Sequence, residues 1–202
     1  MYKEDWVMSQ DIKDRLRVRL VEAMEGVTRL EVFDFDGTLI STPLPETGKP
    51  QWEKATGKEY PHVGWWGRAE SLDSEIFEMR PLPQVQAAYK EATSRSDTMV
   101  IMLTGRRNKE PLMGLVKGIL DSKGMKFDRY LFNYGGETSA NKIKQLSDLL
   151  VEIPNIVDVT LFDDRNLHIP IFDAWGKGLV DSGRLKNYTM NHVKGDNHSP
   201  VD

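Results

Sequence analysis

Residues 30–39, LEVFDFDGTL, constrain this chain more than any other stretch. An apolar run of β-branched and aromatic residues stops abruptly at Asp34, Asp36, Gly37 and Thr38. Residues two apart on a strand point to the same side, so Asp34 and Asp36 leave the strand end facing one spot. Two carboxylates sharing a spot either raise one pKa or recruit a cation. Gly37 permits the sharp exit that a side chain would hinder. A strand feeding an acidic loop of this kind reads as a catalytic centre.

The rest of the chain sets the frame for that loop. Its 202 residues are enough for one domain with a full core, or one domain plus an insertion. A net charge of −4 argues against holding nucleic acid by bulk electrostatics, though it leaves room for a local basic groove. The absence of cysteine removes disulfides, thiolate zinc sites and cysteine nucleophiles. No apolar run approaches a membrane span, and the N-terminus is too charged for a secretory signal. The expectation is a soluble, cytoplasmic protein with no membrane partner.

Residues 10–25 show Ile12, Leu16, Leu20 and Met24 at helical spacing, which predicts an amphipathic helix packing on the domain edge within residues 1–29. The strand of residues 30–35 follows. From about 41 to 83 the periodicity breaks down under repeated proline and glycine, as in a lid or binding loop. Trp52, Trp65 and Trp66 argue against disorder there. Beyond it the chain turns regular, with a helix over 85–92 and a buried strand over 99–103 that ends in Thr104-Gly105-Arg106. Asn108 is the expected cap of a helix carrying Leu112, Val116, Ile119 and Leu120, closed by Gly124. A short strand over 130–132 precedes a helix starting at Thr138 or Ser139, with Ile143, Leu146 and Leu150 inward. A strand over 157–162 ends in Asp163-Asp164-Arg165, residues 169–175 are helical, and residues 187–202 form a polar, mobile tail. Alternating strands and helices predict an α/β fold. It is a Rossmann-like parallel sheet flanked by helices over 30–186, with a small insertion lid after the first strand.

Three strand ends thus carry polar groups: Asp34 and Asp36, then Thr104, then Asp163 and Asp164. Ligands of open α/β sheets bind outside the carboxyl ends of the strands. Each group alone is also a common turn residue, but three such ends with a lysine between the last two form a chemical set. Phosphoryl transfer needs this set. A carboxylate meeting a phosphate is repelled by roughly 4 kcal/mol per charge pair at contact and an effective dielectric near 20. A Mg²⁺ held by carboxylates and phosphate cancels that repulsion. Asp34 would then be the nucleophile and Asp36 the acid and base. Thr104 would donate to a phosphate oxygen, and a lysine would neutralise the remaining charge.

FDFDGTL, LTGR, a downstream lysine and FDDR together resemble the four ordered motifs of the haloacid dehalogenase-like (HAD) phosphatase superfamily. The resemblance implies Asp34 as nucleophile, Asp36 as acid/base with its carbonyl on the metal, and Thr104 as phosphate binder. It implies Asp163 or Asp164 as a further metal ligand, and Lys142 as the third-motif lysine, with Lys144 as the fallback. A lysine in the first turn of a helix opposes the macrodipole and so suggests a nearby anion; a solvated surface lysine is the alternative. TP-L-P over residues 42–45, GWW over 64–66, KFD over 126–128, and DDRNLH with Phe172 are similar to phosphatase domains of the Swiss Army Knife RNA-repair type. FDDR also resembles the phosphatase domain of polynucleotide kinase–phosphatases. A GxxxxGK[ST] loop is absent, so no kinase half is expected.

The insertion is the only candidate lid, and by analogy a poorly capped site suits a phosphate on a large substrate such as an RNA or DNA end. Trp65 and Trp66 are candidates to stack bases, at about 1–3 kcal/mol per base, or else they pack the insertion against the body. Gly105, Arg106 and Arg165 stand beside motif residues as candidate substrate contacts, with Arg68 and Arg107 further out. His168 reads as a structural hydrogen-bonder near the site. The expected activity is Mg²⁺-dependent phosphomonoester hydrolysis through an aspartyl-phosphate, on a nucleic-acid terminal phosphate or a nucleotide. A small-metabolite phosphatase and a non-catalytic anion- or partner-binding module are the alternatives.

Overall fold

The computed structural model describes residues 26–194. The helix expected over residues 10–25 and the last part of the tail lie outside them. In chain order the elements are β1 (Arg29–Phe33), β2 (Ile40–Ser41), α1 (Pro45–Thr56), β3 (Arg80–Pro81), α2 (Pro83–Thr93) and β4 (Thr98–Arg107). They continue with α3 (Leu112–Ser122), β5 (Arg129–Asn133), α4 (Thr138–Glu152), β6 (Asp158–Asp163), α5 (Ile169–Asp181) and β7 (Asn187–His192).

Five strands form a parallel sheet in the order β5-β4-β1-β6-β7. Side chains alternate across a strand, and both faces of this sheet are covered, so β4 carries the continuous apolar run Met99–Leu103, while β1 is interrupted by Glu31, itself buried. Leu30, Val32, Met99, Ile101 and Leu103 face one way, onto Leu146, Leu149 and Leu150 of α4 and Phe172 of α5. Phe33, Val100 and Met102 face the other way, onto Val85 and Tyr89 of α2 and Val116 and Leu120 of α3. The chain runs outward from β1 to β4 and β5, then returns to add β6 and β7 on the other side. Such a switch point opens a crevice at the carboxyl ends of β1 and its neighbours. Among the described residues no helix is long and apolar enough to cross a membrane.

Four local expectations change. The tail does not begin at residue 187: residues 187–192 are an edge strand paired with β6 along its length. Tyr188 and Met190 alternate inward there, and Tyr188 lies on Gly176 of α5, where a Cβ would collide with its ring. A polar, short run is what an edge strand tolerates. Second, β4 runs on to Arg107, with an irregularity in its pairing to β5 between Leu103 and Arg107. Bulges of this kind re-aim side chains beside active sites. Third, α3 starts at Leu112, and Asn108 instead donates its backbone N–H to the Asn133 carbonyl at 2.9 Å. Fourth, the insertion contains a helix, α1, whose signal was obscured by Pro50 and Gly48. Pro45 sits where proline is welcome, in the first turn.

The insertion leaves and rejoins the domain at one point, where β2 and β3 pair antiparallel with Ile40 opposite Pro81. Its interior is aromatic. Tyr60, Trp65 and Phe77 are buried together, with the Trp65 and Phe77 rings edge-on at 5.7 Å.

Candidate active site

The acidic loop is tightly wound. Asp34 N–H extends the sheet pairing to the Phe162 carbonyl at 2.9 Å, while Leu39 N–H returns to the Asp34 carbonyl at 3.1 Å. Gly37, at φ 68°, takes the left-handed turn and donates to the Ile40 carbonyl at 2.9 Å. The result is Asp34 buried at the end of the central strand and Asp36 at the edge of a cleft of about 490 Å³.

Lys142 reaches Asp34 from the second turn of α4. Its buried ammonium donates to Asp34 Oδ1 at 2.8 Å and to Asp163 Oδ2 at 2.7 Å. Lys142 is therefore no surface lysine, whereas Lys144 is exposed and bonds Asp148 at 2.6 Å. Asp163, at the end of β6, also accepts the Arg165 backbone N–H at 2.9 Å and has His168 Nδ1 at 3.1 Å from Oδ1. Asp164 is different: its Oδ1 is buried with no hydrogen-bond partner among the described residues. Carboxylate oxygens of Asp34, Asp163 and Asp164 all lie within 4.8 Å of one another.

One ammonium among three carboxylates leaves the group short of positive charge. Burial, then the charges of Asp163, Asp164 and Asp36, push Asp34 up to about 7 despite the opposing Lys142. Burial and the neighbouring Asp163 push Asp164 up to about 6. Burial alone would raise Asp163 too, but Lys142 and His168 hold it well below the usual carboxylate range. Burial works against the Lys142 cation as well, and Asp34 and Asp163 keep it protonated above the ordinary lysine range. Hard oxygen donors, one of them unpartnered, with surplus negative charge suit a small hard cation such as Mg²⁺.

Asp36 stands apart from this cluster. Its carboxylate accepts from Arg106 Nη2 at 2.7 Å and Nε at 2.9 Å, and from Thr42 Oγ1 at 2.9 Å. Its side chain is thus not among the grouped metal-binding oxygens, and of the Asp36 atoms only the carbonyl remains for the expected metal contact. Arg106 was expected on substrate phosphates. It does line the cleft, but it is 2% exposed and its guanidinium bonds Asp36, the Trp66 carbonyl and Ser71.

Other expected residues divide. Trp66, Gly105 and Arg165 line the cleft, and Arg165 is exposed. Trp65 does not line it. It is 3% exposed, donates from Nε1 to the Pro43 carbonyl at 2.8 Å and packs the insertion core, so it has no face left for a base. Thr104 is fully buried beside the cleft, where its hydroxyl accepts the Arg106 backbone N–H at 3.1 Å. Phe127 and Asp128 of the KFD run are structural; Asp128 accepts the Val100 N–H at 2.7 Å. Sequence reasoning missed Thr42 and Ser71 at the Asp36–Arg106 pair. It also missed Thr138, whose methyl fills the place a Cβ at Gly105 would take. Thr42 lay inside a noticed motif; Ser71 carried no signal.

Comparison with known proteins agrees with this architecture. The chain matches HAD domain family 1 in Swiss Army Knife RNA repair proteins over residues 54–199, a span that starts after Asp34 and Asp36. It is 26% identical over 183 residues to the uncharacterized protein YMR265C of Saccharomyces cerevisiae, covering 80% of this chain and 39% of that protein. Among solved structures, the Pnkp1/Rnl/Hen1 complex superposes with a TM-score of 0.50 at 19% identity, covering 84% of this chain and 47% of that one. The HAD domain of effector protein Lem4 from Legionella pneumophila gives 0.51 at 13% identity, covering 84% of this chain and 88% of that one. Both share the α/β fold described here. With a family match over most of its length, the chain belongs to HAD domain family 1 of the Swiss Army Knife RNA repair proteins, within the phosphatase-like HAD superfamily.

Proposed function

We propose that this protein is a Mg²⁺-dependent phosphomonoester hydrolase that works through an aspartyl-phosphate on Asp34. The observation that carries the proposal is the grouping of Asp34, Asp163 and Asp164 around a buried Lys142 at the carboxyl ends of adjacent strands. Asp34, Asp164 and the Asp36 carbonyl would hold the ion, while Asp163 fixes Lys142. Bound there, Mg²⁺ supplies the positive charge that lets a carboxylate approach a phosphate.

A carboxylate oxygen of Asp34 attacks phosphorus, and the P–O bond to the leaving oxygen breaks. Lys142, already on Asp34, offsets charge on the transferring phosphoryl group. Asp36 gives its proton to the leaving oxygen. It then takes a proton from the water that attacks the aspartyl-phosphate, which restores Asp34 and releases phosphate. Gly105 walls the phosphate, next to the buried Thr104, with Arg165 at the exposed edge.

The preferred substrate is a terminal phosphate of a nucleic acid, RNA or DNA, or a nucleotide. Three things support it: membership of an RNA-repair family, the likeness in fold to a chain of a complex named for RNA repair, and a cleft walled by Trp66 and Arg165. The test is phosphate release with Mg²⁺ from 3′- and 5′-phosphorylated oligonucleotides, mononucleotides and an aryl phosphate, with Asp34→Asn as blank. Preference for an oligonucleotide end supports the whole proposal. Uniform slow release from every substrate removes the nucleic-acid part, and release no greater than the blank removes the hydrolase.

A further inference from the structure

Arg106 and Ser71 form a second layer behind the acid/base residue. A guanidinium is planar and rigid and presents its N–H donors along fixed edges. One edge of Arg106 meets Asp36: Nε lies 3.1 and 2.9 Å from the two carboxylate oxygens, and Nη2 lies 2.7 Å from Oδ1. The other edge, Nη1, meets the insertion, donating to the Trp66 carbonyl at 2.8 Å and to Ser71 Oγ at 2.8 Å. The ring of Trp66 and that of Phe35 each lie 5.8 Å from the guanidinium carbon. Ser71 is fully buried, and its own proton goes to the Arg68 carbonyl at 2.7 Å. That leaves its oxygen lone pairs directed at Arg106. Two acceptors on the insertion therefore fix one edge of a rigid plane, and the opposite edge fixes Asp36.

We infer that Ser71 is a positioning residue for Asp36, acting through Arg106, so that the seating of the insertion sets the aim of the acid. The inference rests on the proposed role of Asp36 and goes beyond it, because it assigns a function to a residue of the insertion that touches neither phosphate nor metal. Burial demands acceptors for every Arg106 N–H, and those for Nη1 come from the insertion, which ties the placement of the guanidinium to the seating of that segment.

Proton donation to the leaving oxygen matters most when that oxygen is a poor leaving group. The experiment is kcat/KM for wild type and Ser71→Ala, with Mg²⁺, over a series of substituted phenyl phosphates from p-nitrophenyl phosphate to phenyl phosphate. For an aspartyl-phosphate route kcat/KM reports departure of the leaving group and not the later hydrolysis. The expected result is a steeper dependence on leaving-group acidity in Ser71→Ala, with phenyl phosphate losing about tenfold more than p-nitrophenyl phosphate, a fraction of the roughly 10²–10⁴ available to acid catalysis. In an Asp36→Asn background Ser71→Ala should add no further steepening. If Ser71→Ala does not fold, Arg106→Lys takes its place, since a single ammonium cannot span both edges, and the same steepening is expected. An unchanged slope, or an equal loss on every substrate, overturns the inference while wild-type turnover leaves the hydrolase standing. If wild type acts on phosphorylated oligonucleotide ends alone, a kcat/KM of Ser71→Ala equal to wild type there overturns the inference, and release no greater than the Asp34→Asn blank on every substrate overturns both.

Discussion

Lys142 is the residue on which the charge balance turns. Its ammonium is the partner of two buried carboxylates, so removing it leaves both uncompensated. Lys142→Met should cost about 3–5 kcal/mol in urea unfolding, as breaking a buried pair does. Adding Asp163→Asn to it should recover part of the loss. Asp164 shows the opposite trend. Its folded pKa of about 6 stands above the ordinary 3.8, so the folded state holds this proton more tightly than the unfolded chain. Its cost to stability therefore grows as pH rises from about 4 to about 6 and is complete above that. Asp164→Asn should accordingly be more stable than wild type at pH 7 in EDTA by about 1–2 kcal/mol, after discounting for partial exposure. The gap should close below pH 4. Saturating Mg²⁺ should raise the Tm of wild type and leave that of Asp164→Asn unmoved.

At the scale of elements, the helix that delivers Lys142 depends on its cap. Glu137 accepts the Ser139 N–H at 2.9 Å and the Ala140 N–H at 2.7 Å, and these bonds, led by that from the Ser139 hydroxyl, lower its pKa to about 2. A lowered carboxylate stabilises above its unfolded pKa and stops doing so as pH falls through the folded one. Glu137→Ala should thus cost about 1 kcal/mol at pH 7 by urea titration, and less at pH 3. The helix begins at Thr138, one of the two expected starts, and its N-cap is Glu137, a residue that ranks low as a cap by propensity. The same division runs through the chain. Sheet and helices were legible where both faces are covered, because continuous apolar strands and 3.6-residue stripes survive any local detail. α1 and β7 were not: proline and glycine obscured one, and polarity obscured the other. Asp34, Asp36, Lys142, Asp163 and Asp164 could be read from motif order. The confinement of Trp65 and Arg106 could not, because both depend on which side of a folded insertion they face.

For the molecule as a whole, the aromatic interior of the insertion continues the core on the α2 and α3 side of the sheet, yet the insertion joins the domain only through the β2–β3 pair. Trp65→Ala should cost about 3–5 kcal/mol, the range for emptying an aromatic site. The loss should be local: limited trypsin digestion is expected to cut at exposed Lys58 before any site on the sheet strands. Cleavage spread evenly over the chain would show that insertion and sheet unfold together.

The β2–β3 pair gives the insertion a narrow neck, with both chain ends side by side within a few residues of Asp36. Loop-closure entropy across such a neck grows only slowly with the length enclosed. Whatever lies between residues 43 and 79 can therefore change in length at little entropic cost, as a cassette can, while Thr42 keeps its bond to Asp36. A graft of different length or sequence would leave the register of the main sheet alone, provided it returned a carbonyl and a hydroxyl to Arg106. The wall of the cleft can then diverge through the graft while the carboxylates and lysine beneath it stay the same.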